Sequence, residues 1–286
     1  MAICEVCFRH CSLEPGQVGF CGARIGSGSK VTAKNYGVVS AVALDPIEKK
    51  PLNRFFPGSM ILSVGSCGCN MRCRFCQNYE ISWSQQAMDH AGRWGSLTPG
   101  ELVQLAEGYK DRGNIGVAFT YNEPLVGYEF VRDTARLVKQ AGMKTVLVTN
   151  GCAEEKILEQ LSGHIDAMNI DLKCFNRQTY KEQLGGDLET VKRFIAGAVK
   201  FCHVELTTLV VPGISDDPRE LDAMTDWIAS LEDAQSRNVG ADIPLHLNRF
   251  FPRFKMTDCR ATDIGVLKAL ADRAAKKLKY VYTGNC

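Results

Sequence analysis

From residue 60 onward the chain alternates short apolar runs with longer stretches whose apolar positions recur every three or four residues. These are the patterns of buried strands and of helices with one apolar face. "MILSVGS" at 60–66 reads as a strand covered on both faces. "SLTPGELVQLAEGYKDRG" at 96–113 predicts a helix, with Thr98 as N-cap, Pro99 in the first turn, Glu101 closing a capping box and Gly113 as the stop. Further strands are predicted at 115–120, 144–150, 166–173, 203–211 and 242–250, and helices at 127–142, 153–161, 187–201, 218–236 and 261–278, before a closing strand at 280–284. Six strand–helix units of this kind predict a parallel α/β sheet with right-handed crossovers. Polar residues recur at the strand ends, which favours a partial (β/α)6 TIM-like barrel over a doubly wound sheet.

Parallel α/β folds bind their ligands at the carboxyl edge of the sheet. In order, that edge offers a cysteine loop, Asn122 and Glu123, Asn150 and Gly151, Asp171 and Lys173, Thr207 and Thr208, then His246, Asn248 and Arg249. Asp171 and Lys173 lie two apart on a strand and so face one side; they either pair as a structural salt bridge or line the cavity. The same choice holds for His246 and Arg249, since an arginine at the mouth either anchors an anionic group or caps the barrel.

Composition narrows the class of function. Thirty-four basic against thirty-two acidic residues leave a net charge of +2, which is no footprint of a dedicated nucleic-acid binder, although RNA stays open as a substrate. No run reaches the about 18 apolar residues of a membrane span, and "MAICEVCFRH" lacks the apolar core of a signal peptide, so the chain is expected to be cytoplasmic. Thirteen cysteines in such a compartment read as metal ligands where they cluster. One cluster is Cys4, Cys7, Cys11 and Cys21; the other is Cys67, Cys69, Cys73 and Cys76. Cys152, Cys174, Cys202, Cys259 and Cys286 are scattered and read as ordinary thiols.

Within "CGCNMRCRFCQN" at 67–78, Cys69, Cys73 and Cys76 follow the spacing C-x3-C-x2-C. Three thiolates leave one iron of a [4Fe–4S] cluster free for another ligand, whereas a structural zinc site takes four. Cys67, two positions before Cys69, falls outside the C-x3-C-x2-C spacing and is read as standing apart from the set. The loop resembles the signature of the radical S-adenosylmethionine (SAM) superfamily, including Phe75 just before the last cysteine. "DPIEKKPLNRFFPGSMILSVGSCGCNMRCRFCQNYEIS", "TYNEP", "VTNG", "IDLK", "HLNRFFP" and "YVYTGN" extend the resemblance over nearly the whole chain, to the enzymes of the AmmeMemoRadiSam group. These are relatives of pyruvate formate-lyase activating enzymes.

The resemblance implies a radical SAM barrel over 58–286, a [4Fe–4S] cluster on Cys69, Cys73 and Cys76, and reductive cleavage of SAM to a 5′-deoxyadenosyl radical that abstracts hydrogen. It implies cofactor contacts at Phe75, Asn122, Glu123 and Asn150, with Glu123 receiving the methionine ammonium group through charge-assisted hydrogen bonds. It brings Asp171, Lys173, His246 and Arg249 forward as catalytic candidates and calls for an electron donor such as flavodoxin or ferredoxin. The substrate stays open among a protein or peptide, an RNA base and a small molecule; a glycyl-radical activase acting on a protein backbone is one form. Where the family usually shows tyrosine and histidine after "KKPL", this chain has Asn53 and Arg54. That pair, and a chain that stops at Cys286, leave room for a catalytically silent metal-binding scaffold; a zinc hydrolase lacks a His and carboxylate ligand set.

Residues 1–57 read as an N-terminal cysteine-rich extension. Cys4, Cys7, Cys11 and Cys21 supply four soft ligands with Gly16, Gly19 and Gly22 for tight turns, and His10 as a substitute ligand. The spacing departs from paired CxxC ribbons, so a second [4Fe–4S] cluster stands beside zinc as the expected occupant. "LNRFFP" occurs at 52–57 and again at 247–252, and both copies are expected to pack aromatic rings at the barrel rim.

Overall fold

The computed structural model describes residues 1–83 and 95–286. Two small antiparallel pairs open the chain, β1 (Ala2–Ile3) with β2 (Ser12–Leu13) and β3 (Arg24–Ser27) with β4 (Lys30–Ala33). The main sheet follows as β5 (Ala41–Pro46), β6 (Met60–Gly65), β7 (Asn114–Phe119), β8 (Lys144–Thr149), β9 (Ala167–Asp171), β10 (His203–Val210), β11 (Leu245–Arg249) and β12 (Val281–Gly284). Its spatial order is the chain order. Strands β6 to β12 are parallel, and β5 runs antiparallel along the outer edge of β6. A doubly wound sheet reverses its strand order at a switch point. This one never does, and its ends, β5 and β12, do not pair, so the sheet is a partial barrel.

The sequence pattern did not reveal β5, none of whose residues is buried and which ends in a proline, as suits an edge strand. It belongs to the 1–57 stretch yet completes the barrel sheet. The predicted helix at 96–113 has the full Thr98–Glu101 capping box but ends at Glu107, and Gly113 closes the following turn in the left-handed region at φ 82°. The predicted 218–236 helix stops at Ala229. Beyond it, Asp233 accepts the backbone N–H groups of Gln235 and Arg237, and this local alternative to the helical ladder folds a tight turn. A short helix at Arg177–Glu182, capped by Asn176, escaped the sequence pattern.

The segment between β5 and β6 closes the barrel at the amino ends of its strands. Ile47, Leu52 and Phe55 pack against Ile61, Ala118, Val146 and Ala167 in a core of their own. Asn169 donates to the Pro51 carbonyl (2.8 Å), and Phe55 stacks on His203 at the start of β10. The second "LNRFFP" begins within β11 and runs out at its carboxyl end. Each copy buries its first phenylalanine, Phe55 or Phe250, and exposes its second, Phe56 or Phe251, so the two share a burial pattern but no common rim.

Candidate active site

At the carboxyl edge lies a cavity of about 640 Å³, lined by Cys69, Cys73, Phe75, Cys76, Asn122, Glu123, Asn150, Asp171, Lys173, His246 and Asn248 among others. Alternation along each strand places them there. His246 and Asn248 share one face of β11 with the cavity, whereas Arg249 is on the other, where its Nε donates to the Thr262 carbonyl (2.8 Å) and its guanidinium lies over Phe251. Arg249 is thus not brought to the cavity; Thr207 and Tyr282 are.

The cysteine loop leaves β6 through Gly68, at φ 94°. A side chain there would place a Cβ 2.7 Å from the Cys21 carbonyl oxygen and 2.8 Å from the Ala23 Cβ. Gly68→Ala is therefore expected to lower stability by about 1–3 kcal/mol and to loosen the loop. A denaturant midpoint equal to that of the parent would refute the fit. Asn122 clamps the same loop from the next strand: its Oδ1 accepts the Ser66 N–H (2.9 Å) and its Nδ2 donates to the Cys67 and Gly68 carbonyls. Arg72 donates to the carbonyls of Cys69, Met71 and Phe20, tying the loop to the N-terminal extension.

Burial pushes the Cys69 thiol well up, Cys73 up to about 12, and Cys76 up as well. Buried thiolates need cationic partners, so this donor set fits an iron–sulfur group that neutralises it. Among the described residues no three Cys, His, Asp or Glu side chains are gathered tightly enough to hold a single metal ion. Cys67 is buried away from the cavity.

Glu123 is the acidic wall. Its Oε1 accepts the Leu125 N–H (3.0 Å) and the Thr149 hydroxyl (2.6 Å), and its Oε2 accepts the Asn150 N–H (2.7 Å). One lone pair on Oε2 is left for a ligand. Burial pushes the carboxyl up to about 7, only partly offset by those bonds, so a cation arriving in the cavity would favour the ionised form. Asn150 is spent inside the protein: its amide donates to Asn70 Oδ1 (2.9 Å) and accepts the Cys152 N–H (2.8 Å). Lys173 pairs with Asp171 at 2.7 Å; burial would lower its ammonium, but the charges of Asp171 and Cys73 outweigh this and raise it. The pair is ion-paired and also lines the cavity.

Two features were missed in the sequence. Lys50, buried on the wall, binds Asp45 of β5 at 2.9 Å, and Tyr121 donates to the same carboxylate at 3.0 Å. Glu205, wholly buried on β10, accepts His203, His246 and two backbone N–H groups. A glutamate in "HVELTT" carries no signal of its own; only the pairing of β10 with β11 brings His246 to it.

Residues 63–224 match the model of the radical SAM superfamily, and the chain belongs to that superfamily. It is therefore an enzyme, of a family that uses SAM and a [4Fe–4S] cluster. An uncharacterized protein of Methanocaldococcus jannaschii, MJ0808, is 38% identical over 284 residues, covering 99% of this chain and 80% of that one. The pyruvate formate-lyase 1-activating enzyme of Escherichia coli is 31% identical over 156 residues, 52% of this chain and 61% of that enzyme. Among solved structures, Streptococcus suis SuiB bound to precursor peptide SuiA has a TM-score of 0.57 at 12% identity over 76% of this chain and 47% of that one. Escherichia coli QueE has 0.53 at 13% identity over 86% and 92%. At these identities the likeness is one of fold. Among the described residues no helix is long and apolar enough to cross a membrane.

Proposed function

We propose that this enzyme cleaves SAM reductively at a [4Fe–4S] cluster held by Cys69, Cys73 and Cys76, and takes a hydrogen atom from a substrate in the same cavity. The observation that carries the reading is that three cysteines at C-x3-C-x2-C spacing and a buried carboxylate face one cavity at the carboxyl edge of the barrel. When bound, the cluster supplies the electron that breaks the sulfonium bond of SAM and frees a 5′-deoxyadenosyl radical. Glu123 receives the SAM ammonium group at its free lone pair. Asn122 and Asn150 act at one remove, the first by holding the cysteine loop and the second by holding Glu123, while Phe75 lines the cavity together with the three cysteines. Asp171 and Lys173 form a neutral pair in the wall, from which Lys173 holds an anionic group of the cofactor or substrate. Arg249 serves the barrel end and stays outside the chemistry.

The test is anaerobic reconstitution with iron and sulfide, reduction, and assay for 5′-deoxyadenosine after SAM is added. Release supports the reading; an iron-loaded protein that binds SAM and releases none sinks it. Glu123→Gln keeps the shape but loses the charge, so SAM binding to the reconstituted protein is expected to weaken about 10–100-fold with iron content unchanged. Unaltered affinity by titration calorimetry would remove Glu123 from the cofactor site.

The group placement is with AmmeMemoRadiSam enzymes, and the electron comes from a flavodoxin or ferredoxin in a reducing, cytoplasmic compartment. The activating enzymes among its relatives favour a second form of the reading, in which the substrate is a protein backbone. We further assign residues 1–57 to an extension with its own metal centre on Cys4, Cys7, Cys11 and Cys21, although its β5 joins the barrel sheet, and 58–286 to the rest of the barrel. Support comes from the β1–β2 ladder, which continues through the Cys4 N–H to the Cys11 carbonyl (2.8 Å), and from the Cys69 N–H, which donates to the Cys21 carbonyl (3.2 Å). Either zinc or a second [4Fe–4S] cluster would serve as the occupant of that centre, since both take thiolate ligands. His10 meets Glu154 instead of the cysteines.

A further inference from the structure

Glu205 sits on the inner face of β10, two residues before Thr207, a residue of the cavity wall. No part of its side chain reaches solvent. Its Oε1 accepts the Arg54 N–H (2.7 Å) and His203 Nε2 (2.9 Å), and its Oε2 accepts the Asn53 N–H (3.0 Å) and His246 Nε2 (2.6 Å). Two of these four groups are backbone amides, which can only donate. A carboxylate surrounded in this way is ionised and has no proton to offer. Each histidine must then carry its proton on Nε2, and the Nδ1 of a neutral ring is left bare.

For His246 the bare nitrogen has somewhere to act. The ring lines the cavity and is held flat against Tyr282, with centroids 5.1 Å apart and an interplanar angle of 24°. Its Nδ1 has no hydrogen-bond partner among the described residues, and it is not among the fully buried polar atoms left without one. It therefore opens to the cavity. A basic nitrogen whose tautomer is fixed by a carboxylate behind it is the arrangement by which an imidazole accepts protons.

We propose that His246 is the proton acceptor of this cavity, that Glu205 is the residue that positions it, and that the substrate carries an O–H or N–H group beside the carbon that loses hydrogen. This rests on the radical reading of the site. Removing a hydrogen atom from carbon acidifies a neighbouring O–H or N–H, because the anion left behind is delocalised with the unpaired electron. The heteroatom–hydrogen bond breaks, its electron pair stays on the substrate, and a new N–H bond forms at Nδ1. Nothing is oxidised or reduced in this step, and Glu205 balances the imidazolium charge. Asn53 and Arg54 reach Glu205 through backbone N–H groups, so their departure from tyrosine and histidine leaves the anchor intact.

The experiment is nitrogen NMR of the full chain carrying ¹⁵N-labelled histidine, with His246 identified by the signals lost in His246→Gln. Five histidines make the assignment tractable. The expected neutral His246 is a single tautomer, with the proton on Nε2 and an unprotonated Nδ1, and diethyl pyrocarbonate added to the native protein labels it. In Glu205→Gln one amide oxygen and one NH2 group face four former donors, so the single-tautomer pattern is lost at His203, His246 or both. A proton on Nδ1 in the parent protein, an unlabelled His246, or an unchanged tautomer pattern in Glu205→Gln would each overturn the proposal. Should Glu205→Gln fail to fold, His203→Gln serves instead: it keeps the Glu205–His246 pair, and the His246 tautomer must persist. The 5′-deoxyadenosine assay fails separately, since a parent protein that releases none would sink the radical reading whatever the tautomer.

Discussion

Cys73→Ala is expected to cut 5′-deoxyadenosine release by more than about a hundredfold, since losing a direct ligand costs more than the 10–100-fold typical of a mutated neighbour of a ligand. Of the three loop cysteines, Cys73 is the least exposed, and burial pushes its thiol up to about 12. Without a cluster such a group is a neutral thiol; with one it is a ligand held against bulk solvent. The alanine removes little volume, and the loop keeps its clamps from Asn122 and Arg72, so the fold is expected to survive. Iron content, the visible absorption of the cluster and deoxyadenosine release should fall together. Retained iron with retained release would mean that Cys73 is no ligand and would break the assignment of the trio.

The largest effect on stability is expected from Glu205→Leu. The leucine is near in volume but leaves two backbone N–H groups and two imidazoles without their acceptor, at about 1–3 kcal/mol for each buried group left unpaired. Because the amides of Asn53 and Arg54 belong to the segment that seals the barrel, the loss falls on packing around Leu52 and Phe55 as well. The variant is expected to be largely unfolded at room temperature, which circular dichroism and denaturant titration would read. A midpoint near that of the parent would show that the four bonds carry little.

Acid should expose the same carboxylate. Burial alone would push the Glu205 carboxyl up, but the bonds from His203, His246 and the Arg54 and Asn53 amides more than reverse this and hold it at about 2. An unfolded glutamate titrates at about 4.3, so the folded state binds its proton less readily than the unfolded one. The resulting stability, of about 3 kcal/mol, is complete above about pH 4.3 and is lost as the pH falls toward 2. The stability gap between the parent and Glu205→Gln is accordingly expected to be wide near pH 6 and to narrow below about pH 4. A gap that stays constant would contradict the depressed carboxyl.

Much of this protein was legible in one dimension. Strand and helix periodicity and the capping box at Thr98–Glu101 are local signals, each contained within a few neighbouring residues, and the parallel sheet followed from their alternation. The C-x3-C-x2-C loop is local as well, which is why the family resemblance could be stated from residues 67–78 and the strand-end motifs. The helix at 218–236 was overextended because the turn at Asp233 is stabilised by a side-chain bond that competes with the helical pattern without changing it.

What the sequence by itself determined was the class of fold, the cysteine trio and the set of polar residues at the strand ends. Only the tertiary structure decided which of them share a cavity. Arg249 and Asn248 are neighbours in the chain, yet the pleat of β11 sends one to the barrel's end and the other to the site. Asn122 and Asn150 stand at the mouth but have their amides committed to the cysteine loop and to the residues around Glu123. Glu205 gained its meaning from partners up to 152 residues away. Hydrogen bonding across a barrel depends on strand register and on the segment that plugs its floor, and neither leaves a periodic trace in the chain that supplies them.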